Sequence, residues 1–323
     1  MNAALIRLAS PRVTLAVLTA IAVSVLLNYV RWLDATWGLA AALSLFVLNL
    51  GASIAVNPVF RKQSALLAFH LALIAIALLL AASRMVYLKG HLELATGETF
   101  TGQLSEVEAG PWHHLRLNSA AFTNDGFDVE YDPGLLRGKT TNHVHWSDED
   151  GGARIATIGD NRPLVLHGYR FYTSFNKGFA PAFLWTPKNG APVHGTVHLP
   201  SYPMHETQQS IEWRLPNSAT SIWTALHVTE PLLDPQTVSH FVLPRNYRLA
   251  VRAGNERVEL RPGEHIDLPD GTLVFEELRT WMGYTAFYDW TNPWLLASCL
   301  IAALSLTVHY WRKFSAAPAP QGE

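Results

Sequence analysis

His70 is the residue that most needs an explanation. It lies in a stretch free of Asp, Glu, Lys and Arg that runs from Gln63 to Ser83 and consists almost wholly of Ala, Leu, Ile and Phe. An ionisable side chain in such surroundings is costly unless something there uses it. One imidazole suits three chemistries. It can hydrogen-bond to a neighbouring apolar segment, where Asn49 and Ser44 offer polar groups. It can ligate a haem iron or another metal through a neutral ring nitrogen, and a haem also requires an apolar slot. It can relay a proton, although no Asp or Glu lies within any of the apolar stretches to pass the proton on. His309 sits at the end of another apolar run, where contact with interfacial water costs little.

At 100° per residue, Ala65, Ala68, Ala72 and Ala75 form one narrow stripe, of the small-residue kind that lets membrane helices approach closely. His70 falls on the opposite side, in a row with Gln63, Ala77 and Arg84 at seven-residue spacing. A polar row of that kind faces protein, water or a cofactor in preference to lipid. The helix is therefore expected to have two protein-facing sides. Arg84 is about 21 Å from His70 along the axis, at 1.5 Å per residue. That is beyond the reach of one porphyrin, so Arg84 is expected to snorkel at the outer surface.

The other histidines all fall between Arg84 and Asn292, among them His113-His114, His143-Val144-His145 and the pair His194 and His198. In a strand, positions two or four apart share a face, so the last two pairs could each offer two ligands to a metal. No acidic residue or cysteine nearby completes a set of four, and solvated strand faces explain the pairs equally well. Asp148-Glu149-Asp150 runs straight into Gly151-Gly152 and reads as a solvated loop. No nucleophile elbow, phosphate loop or zinc-protease motif is present. The one cysteine, Cys299, lies in an apolar run, so the chain has neither disulfides nor a dithiol.

The elements that must position these residues follow from the charge pattern. Mean hydropathy is barely above zero, but it averages two unlike populations. Val13–Val30, Ala35–Phe60, Gln63–Ser83 and Thr291–Trp311 carry no charge, and each is about long enough to cross a hydrocarbon core of about 30 Å. Three membrane helices are expected at about 13–31, 36–56 and 64–84 within residues 1–84. A fourth is expected in residues 292–323, and 85–291 form an extracytoplasmic, β-sandwich-like insert between helices three and four. The first helix reads as an uncleaved anchor. Arg7, Arg12, Arg61, Lys62, Arg312 and Lys313 then share one side, the cytoplasm by the positive-inside rule, with Arg31 the exception. Tyr29, Trp32, Trp37, Tyr87, Trp290 and Trp294 mark the outer interface, and Phe60, Tyr310 and Trp311 the inner one.

Within the insert, short alternating runs broken by turn residues predict about ten to fourteen strands. Leu92–Phe100 echoes Val258–Ile266, either as a duplicated lobe or as two hairpins with the same turn chemistry. The tail after Ser315 reads as a disordered end. With 24 Lys+Arg against 26 Asp+Glu and no basic block, a nucleic-acid partner is disfavoured.

The stretch from Asn57-Pro58-Val59-Phe60-Arg61-Lys62 to Phe69-His70 is similar to the second loop and third helix of the ResB/CcsB family of cytochrome c biogenesis proteins. So are Asn161-Arg162-Pro163-Leu164 with Gly168-Tyr169-Arg170-Phe171-Tyr172, and Met282-Gly283-Tyr284 before the last helix. The resemblance implies the B subunit of an inner-membrane complex that carries haem b across the membrane and supports its attachment to apocytochrome c. It implies His70 as a haem-iron axial ligand, with a second ligand from a Trp-rich multispan partner of the CcsA/ResC type. The Trp-rich haem-binding segment of that partner is absent here, so the chain is expected to be at most an accessory, non-catalytic subunit. A separate thioredoxin-like protein would supply the thiol reduction. The alternative is a membrane anchor whose β domain recruits an assembly partner. A self-contained respiratory haem subunit would need a second histidine, and His309 is poorly placed for that.

Overall fold

The computed structural model describes residues 3–30, 36–114, 117–148, 150–159 and 161–315. Arg31, Trp32, Glu149 and the tail after Ser315 lie outside the described residues. The chain divides into a helical unit, made of Met1–Leu88, Glu108–His114 and Tyr288–Glu323, and a β unit, made of Lys89–Val107 and Leu115–Phe287.

The helical unit contains α1 (Ala3–Leu8), α2 (Pro11–Tyr29), α3 (Thr36–Val56), α4 (Val59–Lys62), α5 (Ser64–Val86) and α6 (Asn292–Ser315). α2, α3, α5 and α6 are apolar and have 19, 21, 23 and 24 residues, enough to cross the hydrocarbon core at 1.5 Å per residue. Large apolar side chains such as Leu15, Leu26, Leu296 and Leu304 stand exposed along them. Such a surface is stable only in a bilayer, so the chain is a multi-pass membrane protein. Pro11 starts α2, where its missing N–H costs nothing. Gln63 leaves helical geometry, with φ −123° and ψ 85°, and so separates α4 from α5.

α5 packs against both α3 and α6, and α3 also packs against α1 and α2. The two sides expected of α5 each hold a buried alanine, Ala72 on the small-residue stripe and Ala77 in the His70 row. Polar groups inside the bundle satisfy one another. Asn49 is 1% exposed; its Nδ2 donates to the Leu8 carbonyl at 2.6 Å, and its Oδ1 accepts from Thr14 at 2.9 Å. At the other end Arg84 is half-buried. It does not simply reach for water: it donates to Asn28 and Thr36, each at 3.3 Å, and lies 5.0 Å from the Tyr87 ring, so it ties α2 and α3 to α5. Ser83 donates to Asp289 at 2.6 Å, joining the end of α5 to the approach to α6.

Glu108–His114 belongs with the helices because it caps α5. Gly110 N–H donates to the Tyr87 carbonyl at 2.9 Å, Trp112 N–H to that of Met85 at 2.8 Å, and His113 Nδ1 to that of Val86 at 2.7 Å. These are carbonyls that the end of a helix leaves without partners. A side chain at Gly110 would collide with the Met85 carbonyl.

The β unit is antiparallel. Its strands are β1 (Leu88–Ala95), β2 (Ser105–Ala109), β3 (Thr123–Asp132), β4 (Leu136–Ser147), β5 (Ala153–Gly159), β6 (Leu164–Leu166), β7 (Tyr169–Pro187) and β8 (Val193–Thr196). They continue as β9 (Ser210–Arg214), β10 (Ser221–Val228), β11 (Ser239–His240), β12 (Tyr247–Ala253), β13 (Glu256–Leu260), β14 (His265–Leu268) and β15 (Gly271–Tyr288). Fifteen strands among the described residues slightly exceed expectation, because two-residue β11 carries no pattern to read. A seven-stranded sheet runs β2-β1-β15-β7-β6, with β14 and β8 alongside; two four-stranded sheets run β13-β12-β10-β9 and β11-β3-β4-β5. The echoed segments end in matching turns, with Gly97 at φ 85° and Gly263 at φ 89°. In each, a glutamate, Glu98 or Glu264, accepts the N–H three residues back. β1 is interior to the large sheet whereas β13 ends a small one, so turn chemistry accounts for the echo.

A buried polar chain joins the large sheet to the β3–β4 sheet. Tyr284 on β15 donates to Asn142 Oδ1 at 3.0 Å, and Asn142 Nδ2 donates to Asn124 Oδ1 at 2.8 Å. Asn124 Nδ2 in turn donates to the Leu94 carbonyl of β1 at 2.9 Å. All three side chains are 0% exposed, and burial pushes the Tyr284 phenol far up, keeping it a donor. Removing one partner from such a chain leaves the other desolvated and unpaired. Tyr284→Phe is therefore expected to destabilise the β unit by about 1–3 kcal/mol, read as a lower denaturant midpoint of its tryptophan fluorescence.

Candidate functional site

His70 sits in the second turn of α5, and its backbone supplies the first contact. Its Nδ1 lies 2.7 Å from the Leu66 carbonyl oxygen, one turn earlier. A carbonyl can only accept, so Nδ1 carries the proton and the lone pair of the neutral ring is on Nε2. Two aromatic rings brace the imidazole edge-on, Phe60 at 4.7 Å and Phe69 at 5.2 Å between centroids. Phe60 is thus buried against the histidine. The groups that could have held His70 by a bond between helices are engaged elsewhere: Asn49 with Leu8 and Thr14, and Ser44 with the Ala40 carbonyl on its own helix. A tautomer fixed by a backbone acceptor, with Nε2 available, is the state in which histidine binds metal.

Several of the outer histidines are engaged with carboxylates. His145 Nδ1 is 2.7 Å from Asp125, His240 is 3.0 Å from Asp128, and His194 is 3.1 Å from Glu276. His194 and His198 are each engaged with a different carboxylate, Glu276 and Glu93. Among the described residues, no group of three or more His, Cys, Asp or Glu is placed to hold a metal ion.

A ResB-like family model matches residues 60–314, beginning at the ring that packs on His70 and ending within α6. The chain belongs to the ResB-like family. Membership gives it a role related to cytochrome c biogenesis. No curated protein matches the chain. Two segments that carried the resemblance turn out to build the core. His167 and Gly168, at φ 48° and 85°, make the tight turn between β6 and β7 that such backbone angles permit. Tyr169 and Phe171 beyond it are buried, as are Met282 and Tyr284.

Sequence reasoning missed the setting of His198, which follows β8 and is stacked on Trp281 at 5.5 Å. Its Nδ1 is 3.1 Å from Glu93 Oε2 and its Nε2 is 3.6 Å from Glu98 Oε2, the second an ion-pair distance only. Burial alone would lower this imidazole, but the Glu93 hydrogen bond and the close carboxylates of both glutamates outweigh it and push the group up to about 9. For Glu98, burial acts upward and is overcome by His198 and the Ala95 N–H, so its carboxyl is held below the ordinary value. The only sequence signal was the Glu-x-x-x-x-Glu spacing of Glu93 and Glu98 in a β region, which does not name its partner. A raised imidazole stabilises the fold fully below its unfolded value of about 6.5. That contribution is lost as pH rises through about 9. Thermal melts of the β unit in the intact protein should show a midpoint falling across that alkaline window, and His198→Gln should flatten the slope.

Proposed function

We propose that this ResB-like chain is the B-type subunit of a complex that carries haem across the cytoplasmic membrane and supports its attachment to apocytochrome c. The reading places the basic ends of the helices in the cytoplasm and the β unit outside. Haem is the cargo and His70 supplies one axial nitrogen. The observation that carries this reading is the Nδ1 contact with the Leu66 carbonyl, which leaves Nε2 as the basic nitrogen of a neutral ring in an apolar helix. The residues fit that role: a haem face needs an apolar surround, and the flanking turns of α5 are Ala, Leu, Ile and Phe.

The rest of the complex follows from what this chain lacks. A six-coordinate iron needs a second axial ligand, and a Trp-rich CcsA/ResC-type subunit would supply it. Cys299, the one cysteine, stands exposed on α6 within the apolar span. Reduction of apocytochrome thiols therefore falls to a separate thioredoxin-like protein.

The test is haem content of the co-purified pair. His70→Ala should strip most of the haem absorbance while the two subunits still elute together, and added imidazole should restore part of it by filling the vacated coordination position. Undiminished haem in that variant would remove His70 from the role. Normal cytochrome maturation beside it would leave the chain as an anchor that recruits its partners through the β unit.

A further inference from the structure

At the basic end of the helical unit, a groove of about 410 Å³ opens between the start of α5 and the end of α6. Lys62, Gln63, Ser64 and Ala65 line one side, and His309, Arg312 and Lys313 line the other. Three fixed cations and a titratable imidazole converge here from two segments far apart in the chain. No carboxylate is close in sequence: there is no Asp or Glu from Thr36 to Leu92 or from Trp290 to Gly322. Among the described residues that line the groove there is no carboxylate; like charges gathered in this way repel one another, and an anion entering the groove relieves that repulsion. The first turn of α5 adds N–H groups that lack intrahelical partners and favour negative charge.

The groove is also related to His70 by the helix itself. Gln63, on its wall, stands in the same seven-residue row as His70, about 10.5 Å below it along the axis at 1.5 Å per residue. That is half the separation that put Arg84 out of reach. Between the two levels α5 is apolar apart from Ser64. A ligand suited to both levels has an acidic head and an apolar body.

We propose that this groove is an anion site for the acidic head group of such a molecule. Under the function proposed above, on which this assignment of the occupant rests, the head group is the pair of propionate carboxylates of the haem whose iron is held at His70. A lipid phosphate presents the same chemistry, and the two sources separate experimentally. The full-length chain in phosphatidylcholine nanodiscs is titrated with haem and with haem dimethyl ester, whose propionates are uncharged. Haem is expected to bind about tenfold or more tighter than the ester. The triple variant Lys62→Gln, Arg312→Gln, Lys313→Gln should bind both alike, whereas Lys62→Arg, Arg312→Lys, Lys313→Arg, which keeps the charges, should retain the preference. In parallel, native mass spectrometry after exposure to phosphatidylglycerol reports retained lipid. If the wild-type chain binds neither porphyrin but keeps phosphatidylglycerol that the neutral variant loses, the anion site stands, its occupant is lipid and the haem reading fails. If neutralisation changes neither the haem preference nor the retained lipid, the proposal is overturned.

Discussion

Taking a polar group out of water without giving it a partner costs more than most single contacts return, and both halves of this chain are organised around that cost. In the helices the cost is highest, because lipid supplies no hydrogen bonds. Asn49 is tolerated because Leu8 and Thr14 answer it, and the end of α5 because Gly110–His113 folds onto its carbonyls; Arg84 is answered only in part, by Asn28 and Thr36 at one terminal nitrogen, while its Nε is buried without a partner among the described residues. In the β unit the same rule produces the Tyr284–Asn142–Asn124 chain, which is both an expense met in full and a device that fixes one sheet against another.

Against this background His70 stands out by how it is satisfied. One ring nitrogen is answered locally by its own helix, a solution that asks nothing of neighbouring helices and leaves the other nitrogen chemically committed to accepting. Asn49, by contrast, has both ends of its amide occupied by protein. The difference separates a polar residue bonded between helices from one bonded within its own helix. The segments at Gly168 and Tyr284 that resemble the family lie in a tight turn and beside a bulge, and their side chains pack the β core.

Much of this was legible in the residues. The membrane helices were, because a run of uncharged residues of a given length has few other fates, and α3 and α5 match the expected spans almost to the residue. Strands with alternating faces were also readable: β6 and β10 start and end where Leu164–Leu166 and Ser221–Val228 place them. The alternation fails where both faces are covered, so β7 and β15 extend far past the Tyr169–Phe175 and Thr272–Glu277 runs into segments buried on consecutive residues. It fails equally for β2, which is exposed at every position. His70 was identifiable from its sequence setting alone. The carbonyl that fixes its tautomer was not, since that depends on a side-chain rotamer. The pairing of His198 with Glu93 depends on segments 105 residues apart in the chain.

The exposed strand β2 has a consequence of its own. It ends the seven-stranded sheet on one side, and an end strand has a free row of backbone groups able to recruit another strand. Here the strand carries the exposed Glu106 and Glu108, and Glu106 interrupts the extended backbone at φ 49°. Charge and a break in the extended backbone both disfavour the addition of a foreign strand, so this edge is poorly suited to extending the sheet.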